Sequence, residues 1–277
     1  MWRADPSSSL GGPELGARSQ VITIPPHLDL RLLHLEETTS TNSVAVNAAE
    51  AGEAEGLVVL ADLQSQGRGR QGRAWVAPPG TGLCFSLLRR PEVAPMVRPY
   101  WTVLAGVAAH AALRDDVEGV WLKWPNDLMV GSRKLGGILC EVAESGAAGA
   151  PPAIVVGIGL NLRPPETGWP EDLVSRATSI LEQAPESSLP RGLLLVRVLE
   201  SFLAREAQLV ARGPADLLAE FRVCMGPLVG RMVQVEKGSQ VVRAEVLGVA
   251  DSGALEVVDE AGDVHRLLAG DVHLGVV

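Results

Sequence analysis

The chain has 277 residues, 47% of them hydrophobic, with a mean hydropathy of +0.18. That is enough apolar material for a large core plus a small second domain, but no run is long enough to cross a membrane. A net charge of −9 and an isoelectric point of about 5.1 exclude the broad basic footprint of a nucleic-acid binder.

Cys84, Cys140 and Cys224 lie far apart, without metal-ligand spacing, and their odd number argues against a disulfide framework. A reduced, cytoplasmic setting is the simplest expectation. Met1 to Gln20 lacks the apolar run of a signal peptide.

Residues 1–30 read as a flexible arm, rich in Ser, Gly and Pro as far as about Ile24. The arm is too short and too polar for a helix-turn-helix. From Leu32 to about Leu181, strand-like and helix-like segments alternate. The cluster Thr38 to Asn42 has the composition of a helix N-cap. It equally offers hydroxyls and an amide to a neutral polar ligand. Leu57 to Leu63 reads as a buried strand.

Gln64 to Trp75 follows, with three glycines and three arginines interleaved from Gly67 to Arg73. Glycine lets the backbone approach a ligand closely, and arginine supplies fork-like donors suited to carboxylate and phosphate oxygens. The segment formally matches GxGxxG. That dinucleotide fingerprint requires a helix directly afterwards, and Pro78, Pro79 and Gly80 forbid one. A solvated basic loop is the plain alternative.

Leu83 to Leu88 is a further strand and Tyr100 to Leu113 an Ala-rich helix. Val120 to Trp124 and Asp127 to Val130 are strand pieces, with a hairpin signal at Gly131-Ser132. Between those pieces, Lys123-Trp124-Pro125-Asn126-Asp127 puts a cation and a carboxylate on either side of a rigid turn; an ordinary surface ion pair fits equally well. Lys134 opens a strand running to Val142, where it reads either as a ligand-reaching cation or as a solvated edge lysine.

Ile154 to Leu162 is a strand interrupted by Gly157 and Gly159. Interior glycines weaken a strand unless something must come close. Asn161 then offers a donor and an acceptor together, as an adenine edge requires; a bulge followed by a turn asparagine is the alternative. Leu193 to Val210 and Leu217 to Cys224 read as amphipathic helices. After Pro227, short strands with glycine turns predict a small β-barrel. No Ser-His-Asp or Cys-His arrangement, no histidine metal spacing and no P-loop is evident.

Taken together, Glu37 to Asn42, Gln64 to Trp75, Lys123 to Asp127, Lys134 to Glu141 and Gly157 to Asn161 resemble the biotin–protein ligases, with all five segments in order. The resemblance implies an α+β fold: a mixed sheet flanked by helices, like class II synthetases and lipoate ligases, with a C-terminal SH3-like barrel. The ligase domain would span residues 31–226 and the barrel residues 227–277.

The implied reaction has two steps. Biotin and ATP, as the Mg2+ complex, give biotinyl-5′-AMP, and biotin then passes to a lysine of a carboxylase's biotin carboxyl carrier domain. The resemblance assigns Ser40, Thr41, Asn42, Gln64, Gly67, Arg68, Gly69, Arg70, Lys134 and Gly137 to biotin. It assigns Arg70, Trp75, Lys123, Asp127, Lys134 and Asn161 to ATP or the adenylate. Lys134, Arg68 and Arg70 would be catalytic, with no protein-held metal. Gln71 stands where many relatives carry a further arginine. No nucleic-acid or membrane partner is implied. The nearest rivals are a lipoate ligase or octanoyl transferase of the same fold, and a non-catalytic biotin sensor.

Overall fold

The computed structural model describes residues 22–92, 97, 99–144, 152–237, 240–268 and 272–274. Most of the expected arm lies outside them. From Ile22 onward the chain is packed rather than flexible: Ile22, Ile24, Leu28 and Leu30 are partly buried against the core.

The larger unit is a seven-stranded sheet of β1 (Arg31–Thr38), β2 (Leu57–Gln64), β3 (Gly82–Arg89), β4 (Val120–Lys123), β5 (Asp127–Val130), β6 (Arg133–Ala143) and β7 (Ala153–Asn161), in the order β1-β2-β3-β7-β6-β5-β4. Only β1 and β2 run parallel, so the sheet is mixed as expected. Helix α1 (Thr41–Glu50) covers one face; α2 (Tyr100–Leu113) covers the other, backed by α3 (Arg191–Arg212) and α4 (Ala215–Cys224).

Cover on both faces explains why the central strands read as continuous apolar runs. In β2, Leu57 and Val59 pack with Ala45 and Ala49 of α1, while Val58 and Leu60 join the α2 core. In β7, Val155 faces α1, and Ile154, Val156, Ile158 and Leu160 face α2. Trp101, Phe85 and Phe202 are fully buried on the α2 side, each contributing about 2 kcal/mol by transfer from water.

The smaller unit is a five-stranded antiparallel sheet: β8 (Met232–Lys237), β9 (Gln240–Val249), β10 (Leu255–Asp259), β11 (Val264–Leu267) and β12 (Val272–Leu274). The first four strands form a meander, and β12 returns to pair with β8. Polar contacts join the two sheets. Trp124 Nε1 donates to the Gly253 carbonyl at 3.1 Å, Tyr100 donates to the Asp251 carbonyl at 2.9 Å, and Arg222 Nε donates to the Val249 carbonyl at 2.8 Å.

Spacing suggested no Cys–His pair, yet the fold makes one. Cys224 Sγ lies 3.4 Å from His110 Nδ1, and His110 Nε2 lies 3.1 Å from the Val120 carbonyl oxygen. Burial pushes the thiol up to about 11 and holds the imidazole below its ordinary value. Both shifts favour the neutral forms, the opposite of what an activated thiolate needs. The pair is a core contact.

Candidate active site

Small residues carve a trough in the α1 face of the sheet. Across three neighbouring strands, Ser86 pairs with Gly157 and Gly157 with Leu139; one row along, Cys84 pairs with Gly159 and Gly159 with Gly137. A Cβ on Gly157 would meet Asn42 Oδ1 at 2.1 Å, and one on Gly159 would meet the Trp75 indole at 2.6 Å. The close approach inferred from these glycines is therefore made by the protein's own side chains. No register shift marks a bulge in the described part of β7.

Helix α1 starts above the first row. Ser40 is its N-cap residue but makes no side-chain capping bond. Thr41 and Asn42 are buried instead in a polar network. Gln64 Oε1 accepts from the Thr41 amide at 2.8 Å. Ser86 Oγ lies 2.8 Å from Thr41 Oγ1 and 2.6 Å from Asn42 Oδ1. Asn42 Nδ2 donates to the Leu139 carbonyl at 3.0 Å and to Glu141 Oε2 at 2.7 Å. The Thr38–Asn42 cluster leads into the helix, and its last three residues, Ser40, Thr41 and Asn42, line a polar pocket.

The glycine–arginine segment folds as a flap. Arg68 bridges to Ala74 in antiparallel fashion, Trp75 N donates to the Gly67 carbonyl at 2.8 Å, and Gly69 N donates to the Arg73 carbonyl at 2.7 Å. A Cβ on Gly67 would sit 2.2 Å from the Trp75 carbonyl oxygen, so the stem requires glycine there. A single 3-10 turn, Arg70–Gly72, closes the tip, with Gln71 at φ 55°. No helix follows before Gly82, which removes the dinucleotide reading. Arg68 Nη2 donates to Glu141 Oε2 at 2.7 Å, and Arg70 Nη1 donates to Asn126 Oδ1 at 3.1 Å.

Beyond the second row lies a cationic lip. Lys134 Nζ is 2.6 Å from Asp127 Oδ1, and Lys123 Nζ is 3.1 Å from Asp127 Oδ2. Burial works against the Asp127 charge, but the two ammonium groups outweigh it and hold the carboxyl below its ordinary value. The motif is thus a half-buried triad rather than a surface ion pair. Lys134 belongs to an interior strand and also lies over the Trp75 ring, 5.7 Å from its centroid.

Asn161 departs from expectation in one respect: its Nδ2 donates to the Thr178 carbonyl at 2.9 Å, so the donor meant for an adenine edge is already engaged. Residues 162–179 thereby wrap back over β6, where Lys134 N donates to the Arg176 carbonyl at 2.7 Å and Thr178 N donates to the Lys134 carbonyl at 2.9 Å.

One cavity of about 560 Å3 joins these parts. It is lined by Ser40, Thr41, Asn42, Gln64, Arg68, Gly69, Arg70, Trp75, Lys123, Asp127, Lys134, Gly137 and Asn161, and so collects all the expected site residues except Gly67. Gly67 acts in the flap stem. Residues passed over in the sequence also contribute: Asn126, Trp169 and Arg176 line the cavity, and Ser86 and Glu141 hold its polar floor. Ser86 was visible in principle, as a polar residue inside the apolar run Leu83 to Leu88.

A mixed sheet bearing a glycine–arginine flap, joined to a small antiparallel sheet, defines a class of protein. The biotin/lipoate A/B protein ligase family model matches residues 35–161, and the biotin protein ligase C-terminal domain model matches residues 228–275. The biotin–[acetyl-CoA-carboxylase] ligase of Mycobacterium tuberculosis is 33% identical over 249 residues, covering 85% of this chain and 86% of that protein. The bifunctional ligase/repressor BirA of Bacillus spizizenii is 30% identical over 253 residues, covering 88% of this chain and 74% of that protein. The solved biotin protein ligase of Aquifex aeolicus in complex with biotin and ATP superposes with a TM-score of 0.74 at 26% identity, covering 87% of this chain and 97% of that one. The chain belongs to the biotin protein ligase family.

Proposed function

We propose that the cavity activates biotin with ATP and passes it to the lysine of a biotin carboxyl carrier domain of a biotin-dependent carboxylase. One observation carries this reading: a neutral polar pocket and a cationic lip share a single cavity under an arginine flap. Biotin's ring is uncharged and suits Thr41, Asn42 and Gln64. Its carboxylate and the nucleotide phosphates suit Lys134, Lys123 and Arg70. In the first step a carboxylate oxygen bonds to the α-phosphorus and pyrophosphate leaves. In the second the lysine amine attacks the acyl carbon and AMP leaves.

Two anions must meet in the first step. Lys134 and Arg70 offset that repulsion and the charge developing on the phosphoryl oxygens; one such donor is typically worth about 3 kcal/mol, or roughly 10²-fold in rate. Among the described residues no cluster of three His, Cys, Asp or Glu side chains could hold a metal. Both Asp127 oxygens already face lysines. Mg2+ would therefore ride on the nucleotide's own phosphates, where it neutralises charge. The mixed anhydride hydrolyses when wet, which is a reason for a closing flap.

Among the described residues no helix is long and apolar enough to cross a membrane. The three unpaired cysteines fit a reducing cytoplasm. The test is incubation with labelled biotin, lipoate or octanoate, ATP and an isolated carrier domain. Label should reach the carrier only from biotin and only with ATP. Transfer from lipoate or octanoate instead would overturn the assignment.

A further inference from the structure

Glu141 is a carboxylate placed beside a site meant for anions, and its position calls for a reason. A single oxygen, Oε2, accepts from Arg68 Nη2 in the flap and from Asn42 Nδ2 in the pocket floor, each at 2.7 Å. Asn42 is fixed on its other sides, by the Leu139 carbonyl at 3.0 Å, by Ser86 Oγ at 2.6 Å, and by the missing Cβ of Gly157. The carboxylate therefore rests on a side chain that several hydrogen bonds hold in place. The Arg68–Glu141 pair is also open to water, with 43% and 28% of the side chains exposed. Pairs of that kind add little to overall stability. What it does supply is direction, because it ties to the sheet a stem that carries Gly67 and Gly69 and has little stiffness of its own.

We infer that Glu141 is a positioning residue: it anchors the flap stem through Arg68 and links the flap's closed position to the polar floor beneath. This rests on the reading of the cavity as an adenylate-forming site. Glu141 touches neither the cationic lip nor the reacting atoms assigned above. Its loss should affect retention of the adenylate and the KM for biotin more than the chemical step.

The experiment compares wild type, Glu141→Ala and Glu141→Gln as full chains. Adenylate release after dilution into unlabelled ligand is read by chromatography. Cleavage by trypsin after Arg68, Arg70 and Arg73 is followed with and without biotin and ATP. Losing a hydrogen bond to a charged group should speed adenylate release by Glu141→Ala roughly tenfold, with faster flap cleavage and a raised biotin KM at near-normal kcat. Glu141→Gln keeps an acceptor for Asn42 and should fall between. Should the Ala variant fail to fold, the Gln variant decides alone. Release and cleavage at wild-type rates would overturn the anchor. If wild type itself forms no adenylate, the reading of the cavity fails, and the cleavage comparison in free protein still decides whether Glu141 holds the flap.

Discussion

Lys134 stands where the backbone, the charge and the flap meet. Its main chain holds the 162–179 segment, its ammonium group balances the half-buried Asp127, and it lies over Trp75. Replacing it with alanine should slow biotin-dependent pyrophosphate release by roughly 10²-fold. It should also destabilise the fold by up to about 3 kcal/mol, because Asp127 loses one of its two cations. Pyrophosphate release at the wild-type rate would remove Lys134 from the chemistry. Arg70→Ala should behave differently. Asn126, which accepts its hydrogen bond, keeps its own bond to the Ile138 carbonyl at 2.8 Å, so the fold should hold. Adenylate should escape faster, and an unchanged dissociation rate in chromatography would count against the role of the flap tip. At this scale the sequence was most readable where residue type is unusual, as at Gly67 to Arg73. It was least readable where an ordinary residue gains meaning from a distant neighbour. Glu141 and Ser86 meet Asn42 only because three strands and a helix start converge.

Among the elements, β2, β3 and β7 were legible because burial on both faces demands unbroken apolar runs, ended by Gly or Pro. Strand β1 was not legible, because much of it is exposed and it lacks an apolar run. The body of α1 was missed beyond its start: its buried positions are Thr41, Asn42, Ala45 and Ala49, a weak apolar stripe. Strand β12 is three residues long and owes its existence to pairing with β8. The glycines of β7 give the sharpest test at this level. In Gly159→Ala the new methyl must displace the Trp75 indole. ATP affinity by calorimetry should fall by roughly tenfold or more, while the strand keeps its register. Undiminished affinity would mean that Trp75 has no part in holding the nucleotide.

For the molecule as a whole, the acidic chain concentrates cations at one lip and ties its two sheets together beside it. Trp124 of the Lys123–Asp127 turn donates to the β9–β10 turn, and Val272 of β12 reaches the cavity. The smaller sheet is thus part of the wall of the site. The core His110 sets a pH limit. Its folded-state value lies below the ordinary 6.5, chiefly through burial, so the unfolded chain binds the proton more readily. Stability from this residue is complete above about 6.5 and is lost as pH falls below it. Urea midpoints should drop between pH 7 and pH 5, and His110→Gln should flatten that slope; an unchanged slope would show that other groups set it. Whether the flap closes over an activated vitamin is best decided by isolating the product in place. Protein incubated with biotin and ATP, then gel-filtered without a carrier, should bring through one equivalent of biotinyl-5′-AMP, identified by mass spectrometry. Recovery of protein with neither adenylate nor biotin-dependent pyrophosphate would mean that the cavity does not activate biotin.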